Sequence, residues 1–260
     1  MLEYIDINLK NKFRKTFRHL LDTEPILKHL LLNVFVYGTA YVVGGYFRDF
    51  LNKKNSRDID IIVDLENIKL LEIISNLNIP HTTNRHGGIK LQLKNIDVDL
   101  WSLENNWAFK NKLVKLNENY KLTSIAKGCF FNYDSLVINL HNYSYNTQYY
   151  NEFRKTNILD ILQKSSMYKN LNPTVEANII RAYYLKQKFN VVFSKNLTNY
   201  IVNKVLFLSD QYTNGIDRLI EIKSNYPKYN DLLDSHLRCE IRQTIDKSRS
   251  ASDNLFLDFK

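Results

Sequence analysis

Asp58 and Asp60 stand two residues apart inside Arg57–Val63, an alternating run rich in β-branched residues. Such a run reads as a strand, and on a strand side chains at i and i+2 point to the same face. Their Cα atoms then lie roughly 6.5–7 Å apart, a spacing at which two carboxylates can share one divalent cation. Upstream, Gly44-Gly45 separates a short apolar strand, Ala40–Val43, from a helical fragment, Tyr46–Leu51. Glycines at that place let the backbone approach a ligand closely and open a helix N-terminus, where N–H groups can take a phosphate. A phosphate cradle beside paired carboxylates is what transfer of a nucleotide from a triphosphate requires. Each feature alone has a plainer reading: the glycines as an ordinary strand–helix turn, the carboxylates as a solvated face. Their setting among Ile59, Ile61 and Ile62, in a strand expected to be central, favours a site. Carboxylates facing a sheet crevice need a cation to offset desolvation.

Asp97 and Asp99 repeat the pattern on a second strand, Ile96–Trp101. One of the two, opposite the first pair, completes a site for two Mg²⁺ ions, which clamp the attacking and leaving oxygens of an in-line displacement. A polar outer face is the alternative. The elements that must position these groups follow from periodicity. Residues 12–33 carry helical stripes, broken at Asp22-Thr23-Glu24-Pro25, with Pro25 in a new first turn. Glu66–Leu77 is an amphipathic helix. His86-Gly87-Gly88 opens a hairpin in which Ile89, Leu91 and Leu93 alternate with Lys90, Gln92 and Lys94 before a turn near Asn95. Residues 1–140 therefore read as a unit of helices on a mixed sheet. The polar, tyrosine-rich His141–Asn151 reads as a connection, and from Ile158 onward the stripes are helical only, with Pro173 near a helix start.

Taken together, the order and spacing of these motifs resemble the nucleotidyltransferase superfamily that includes the CCA-adding enzymes and bacterial poly(A) polymerases, of the class II kind. The family pattern stands here as Gly44-Gly45-Tyr46-Phe47-Arg48-Asp49, then Arg57-Asp58-Ile59-Asp60, then Val98-Asp99-Leu100-Trp101. The resemblance implies catalytic metal-ligand roles for Asp58, Asp60 and Asp99, and triphosphate contact at Gly44 and Gly45. It prefers Asp99 to Asp97, because related chains carry Asp-x-Trp there. Arg48 and Asp49 match an Arg-Asp pair that contacts the nucleotide or braces the turn. The implied fold is α+β: a polymerase-beta-like head domain at residues 1–145, then an all-α neck and acceptor-binding domain at 146–260. Asn172–Ser194 resembles the neck helix. Two departures stand out. Ala126-Lys127-Gly128 replaces the family's Arg-Arg-Asp, and the Glu-Asp-x-x-Arg that templates the incoming base has no clear counterpart. The implied activity is transfer of a nucleoside monophosphate from a nucleoside triphosphate to an acceptor hydroxyl, an RNA 3′ end of tRNA type being favoured. The other readings are transfer to a small molecule or protein hydroxyl, and a non-catalytic RNA-binding module.

Composition agrees without deciding. The 260 residues carry 36 Lys and Arg against 27 Asp and Glu, a net charge of +9 that attracts polyanions. Cys129 and Cys239 follow no metal-ligand spacing. No run approaches the ~18 apolar residues of a membrane span, and the N-terminus lacks the apolar core of a signal peptide. A soluble, cytoplasmic protein is expected. Arg85, His86 and Lys90 flank the Gly87-Gly88 turn, as triphosphate contacts or as a solvated hairpin. Trp101 and Trp107 read as core aromatics rather than base-stacking platforms.

Overall fold

A computed structural model describes residues 7–84, 86–167 and 175–257. Two compact units divide between Asn151 and Glu152. In chain order the first contains α1 (Ile7–Thr23), α2 (Pro25–Tyr37), β1 (Thr39–Val43), α3 (Gly45–Leu51), β2 (Asp58–Asp64) and α4 (Asn67–Asn76). There follow β3 (Thr82–Thr83), β4 (Ile89–Gln92), β5 (Asp97–Ser102), α5 (Trp107–Lys110), α6 (Lys121–Lys127), β6 (Val137–Asn139) and β7 (Tyr145–Asn146). Helix α7 (Gln148–Thr156) crosses the division. The second unit holds β8 (Ile158–Leu159), α8 (Val175–Phe189), β9 (Val192–Phe193), α9 (Lys195–Gln211), α10 (Gly215–Ser224) and α11 (Asp234–Leu257).

The seven strands of the first unit form one sheet in the order β3-β4-β5-β2-β1-β6-β7. Only β2 and β5 run parallel within it, and β2 is the middle strand. The sheet is mixed, and β2 is as central as its apolar run predicts. Alternation assigns the faces. Ala40, Val42, Ile59, Ile61, Val63, Val98 and Leu100 point one way and are buried. Leu27, Leu30, Leu31 and Val34 of α2 and Leu70, Ile73 and Ile74 of α4 are the buried helical residues on that layer. The break between α1 and α2 falls at the expected place. There the Glu24 carboxylate, 3% exposed, accepts hydrogen bonds from the Lys94 and Asn95 amides, 3.3 and 2.6 Å away, at the tip of the β4–β5 hairpin. Phe13 of α1 packs edge-on against Phe47 and Phe50 of α3.

The opposite face is divided. At one end Tyr41, Val43, Ile62, Leu103 and Val137 pack with Ile125 and Ala126 of α6, and Trp101 lies against this cluster. That placement makes Trp101 a packing residue, as expected. It also explains Gly88: a Cβ there would come within 2.4 Å of the Trp101 ring. The other end of the same face carries the acidic residues.

Two expectations need correction. His141–Asn151 is more than a connection, because Tyr145 and Asn146 form the edge strand β7 and Gln148 opens α7. Side chains of Asn139 and Asn142 satisfy the tight turn before β7, and the Tyr145 ring packs edge-on against Phe47 at 6.0 Å. Nor is the region after Ile158 helical throughout: Ile158–Leu159 pairs in parallel with Val192–Phe193. The ladder is anchored by Asn157, at φ 55°, whose amide donates to the Asn190 carbonyl at 2.9 Å. Two-residue strands are too short to show a period of two. The expected neck segment is helical from Val175; Pro173 and Arg85 lie outside the described residues.

Candidate active site

Strand β1 delivers the chain to Gly44, whose φ of 72° and ψ of −120° lie where residues with a Cβ are strained. The Gly44 amide donates to the Leu136 carbonyl at 2.8 Å, which ties the bend to the segment leading into β6. Helix α3 starts at once at Gly45. Tyr46, in its first turn, has its hydroxyl pushed up to about 12 by burial.

Arg48 points back along this bend. Its guanidinium donates to the Asp134 carboxylate at 2.6 Å, lies 3.6 Å from Asp49, and sits over the Tyr133 ring at 4.4 Å from its centroid. Between nucleotide contact and bracing, the observed contacts of Arg48 are those of a brace. Asp49 accepts from the Ser56 hydroxyl, which also donates to the Asp58 carbonyl. Hence α3 is tied directly to the first residue of β2. Asp134 and Tyr133 were not singled out from the sequence. A partner 86 residues from Arg48 leaves no local signal.

The register of β2 on β5 pairs Asp58 with Asp97 and Asp60 with Asp99. In a parallel pair, opposed residues share a face, so all four carboxylates project from one side, on strands about 4.8 Å apart. Strand β4 adds Lys90 opposite Asp99 and Gln92 opposite Asp97. Asp58 pairs with Arg57 at 2.7 Å and Asp97 with Lys90 at 3.0 Å. Both hydrogen bonds hold the cations above their ordinary pKa. The carboxyl of Asp99 is pushed up, first by burial and then by the like charges of Asp58 and Asp97, against the lowering effect of Lys90 and Arg57.

The sequence argument from desolvation is thereby narrowed. Asp60 is exposed and Asp58 only half-buried, because the acidic end of β2 is not roofed as the α6 end is. Among the described residues no three Asp, Glu, His or Cys side chains are gathered as a ready metal cage; Asp58 and Asp97 are turned toward Arg57 and Lys90. The donor set nonetheless suits Mg²⁺. That ion is held through one or two carboxylates plus substrate phosphates and water rather than by an all-protein cage. Asp97 pairs with Lys90, and Asp60 stands opposite Asp99 across the two strands. Neither Cys129 nor Cys239 takes part in a disulfide among the described residues.

Residues 40–128 match the family model of the poly A polymerase head domain, a span running from β1 to the end of α6. Similar solved structures include a CCA-adding enzyme in complex with ATP, at 18% identity over 85% of this chain and 51% of that one, with a TM-score of 0.57. The Thermotoga maritima CCA-adding enzyme in complex with tRNA is 18% identical over 84% of this chain and 45% of that one, TM-score 0.51. A tRNA-processing enzyme complex is 17% identical over 80% and 55%, TM-score 0.53. These likenesses show the fold, α+β with a mixed-sheet first unit. The chain spans about half the length of the solved proteins it matches. No curated protein matches it.

Proposed function

We propose, from the premise that residues 40–128 form a poly A polymerase head domain, that this chain is a nucleotidyltransferase. It moves a nucleoside monophosphate from a nucleoside triphosphate to an acceptor hydroxyl and releases pyrophosphate. The leading acceptor is an RNA 3′ end of tRNA type, which implies work in the cytoplasm. One observation carries the reading: the in-register β2–β5 pair sets Asp58, Asp60, Asp97 and Asp99 on one face of the central strands.

Gly44 and Gly45 receive the phosphates: the Gly44 amide is held by the Leu136 carbonyl, so Gly44 contributes close approach without a Cβ in the way, and the Gly45 N–H at the start of α3 is the one offered to a phosphate. Arg48 and Asp49 keep that bend in place through Asp134, Tyr133 and Ser56. Asp58, Asp60 and Asp99 would hold two Mg²⁺ ions. When bound, these supply Lewis-acid activation of the acceptor hydroxyl and charge neutralisation on the pyrophosphate. A nearby cation would favour the charged form of Asp99, which burial and its acidic neighbours now work against. Arg57 and Lys90 stand at the edge of the cluster, where they partly balance its charge.

The basic net charge and the similarity to proteins solved with tRNA and ATP support an RNA acceptor. A second reading is favoured by one feature. The Glu-Asp-x-x-Arg with which the family templates the incoming base has no clear counterpart in this sequence. Transfer to a small molecule or a protein hydroxyl asks less of base templating. Incubation with each NTP separately plus tRNA, followed by 3′-end sequencing, tests the first reading: added nucleotides are the expected result. Label found only on protein or small molecules would establish the second, and no transfer to any acceptor would remove both.

A further inference from the structure

Strands β4, β5, β2 and β1 lie side by side, and Lys90 is the one basic residue in all four. In a chain of net charge +9 that is a sparse allotment. Alternation puts Lys90 on the face of the aspartates. Its neighbours Ile89 and Leu91 are buried opposite Leu100 and Val98, in the other layer. The register partner of Lys90 is Asp99, yet its ammonium bonds the diagonal neighbour Asp97, at 3.0 Å. A long side chain reaches both directly opposed and diagonal residues of an antiparallel pair. Lys90 therefore serves both carboxylates of β5. Among the charges around Asp99, that of Lys90 acts on it most strongly, ahead of those of Asp58 and Asp97.

Holding the sheet together does not account for this placement. The Lys90 side chain is 43% exposed and that of Asp97 38%, and pairs so open to water contribute little to stability. The consequence is electrostatic. A cation tethered among carboxylates repels a second cation and competes with it for the same oxygens. The ammonium also rides on a flexible four-carbon stem, so it can leave Asp97 without any movement of β4. A triphosphate arriving at the face would offer it a new anionic partner.

We propose that Lys90 is a tethered counter-cation, a role that rests on the carboxylate site proposed above. In the nucleotide-free protein it lowers the affinity of the carboxylates for a divalent ion. When metal and nucleotide arrive together, it turns from Asp97 to the phosphates. Removing its charge should then shift the two affinities in opposite directions: tighter for the metal alone, weaker for the nucleotide. A residue that merely shaped the site would weaken both when lost.

The test compares the full wild-type chain with Lys90→Gln and Lys90→Arg, each checked for its fold by circular dichroism. Mn²⁺ alone is titrated, and the bound fraction is read from the loss of the free-ion paramagnetic resonance signal. Lys90→Gln should bind Mn²⁺ about tenfold more tightly, the order expected for lifting a unit charge a few ångströms from a divalent ion. Calorimetry with a non-hydrolysable ATP analogue, at Mg²⁺ saturating for every protein, should show Lys90→Gln binding it roughly tenfold more weakly, as for one lost charge-assisted contact. Lys90→Arg keeps the charge and should stay near wild type in both. Mn²⁺ affinity in Lys90→Gln equal to or below wild type overturns the proposal, and so does an unchanged affinity for the analogue. Asp58→Ala/Asp60→Ala tells the failures apart. Its loss of Mn²⁺ binding is expected; Mn²⁺ binding that survives there would remove the carboxylate site itself, and the role of Lys90 with it.

Discussion

Asp58→Ala/Asp60→Ala is expected to lower nucleotide transfer by about 10³-fold or more, because loss of metal-borne charge stabilisation is worth several kcal/mol and each 1.36 kcal/mol is tenfold in rate. The same change should not harm the fold. Asp60 is exposed, and Asp58 pairs with Arg57, whose side chain is 82% exposed. Such pairs contribute little to stability. Removing two of four like charges from one sheet face also relieves repulsion on Asp99, which Asp58 now pushes up. The variant should therefore melt at the wild-type temperature or slightly above it. Transfer from an α-phosphate-labelled NTP and a thermal melt, run on the same preparations, check both halves. Loss of activity accompanied by a clearly lowered melting temperature would mean that the carboxylates hold the fold rather than the chemistry.

The largest stability effect should come from Glu24. Its buried carboxylate accepts from the Lys94 and Asn95 amides and so fastens the α1–α2 junction to the β4–β5 turn. Glu24→Ala leaves those donors without their partner, at a cost of about 2–3 kcal/mol for charge-assisted bonds. That is equivalent to a melting shift of roughly 5–10 °C for a unit of this size. Both tryptophans, Trp101 and Trp107, belong to the first unit, so tryptophan fluorescence reports its unfolding without the second. The hairpin clamped by Glu24 also carries Lys90, Asp97 and Asp99. A Glu24→Ala protein as stable as wild type would show that the turn is held by its own hydrogen bonds.

How far the sequence disclosed this site depends on the range of each interaction. Alternation in Arg57–Val63 and Ile96–Trp101 located β2 and β5, and the apolar character of β2 placed it centrally. The glycine bend was legible because so few residues tolerate its backbone angles. The parallel register that sets Asp60 beside Asp99 was not, since period-two patterns are identical for parallel and antiparallel partners. Nor were Asp134 and Tyr133, which meet Arg48 only through the fold. Glu24 was read as part of a helix break, because a buried carboxylate and a solvated one look alike until the turn it caps is in place. The family pattern supplied the preference for Asp99 over Asp97, and no pattern in the sequence showed that Asp97 pairs with Lys90 or Asp58 with Arg57.

Calorimetric titration of the chain with a non-hydrolysable ATP analogue, with and without Mg²⁺, tests most directly whether these carboxylates and the glycine bend form a working nucleotide site. The account predicts binding heat that requires Mg²⁺ and disappears in Asp60→Asn. Equal affinity without the ion, or in the variant, would contradict it.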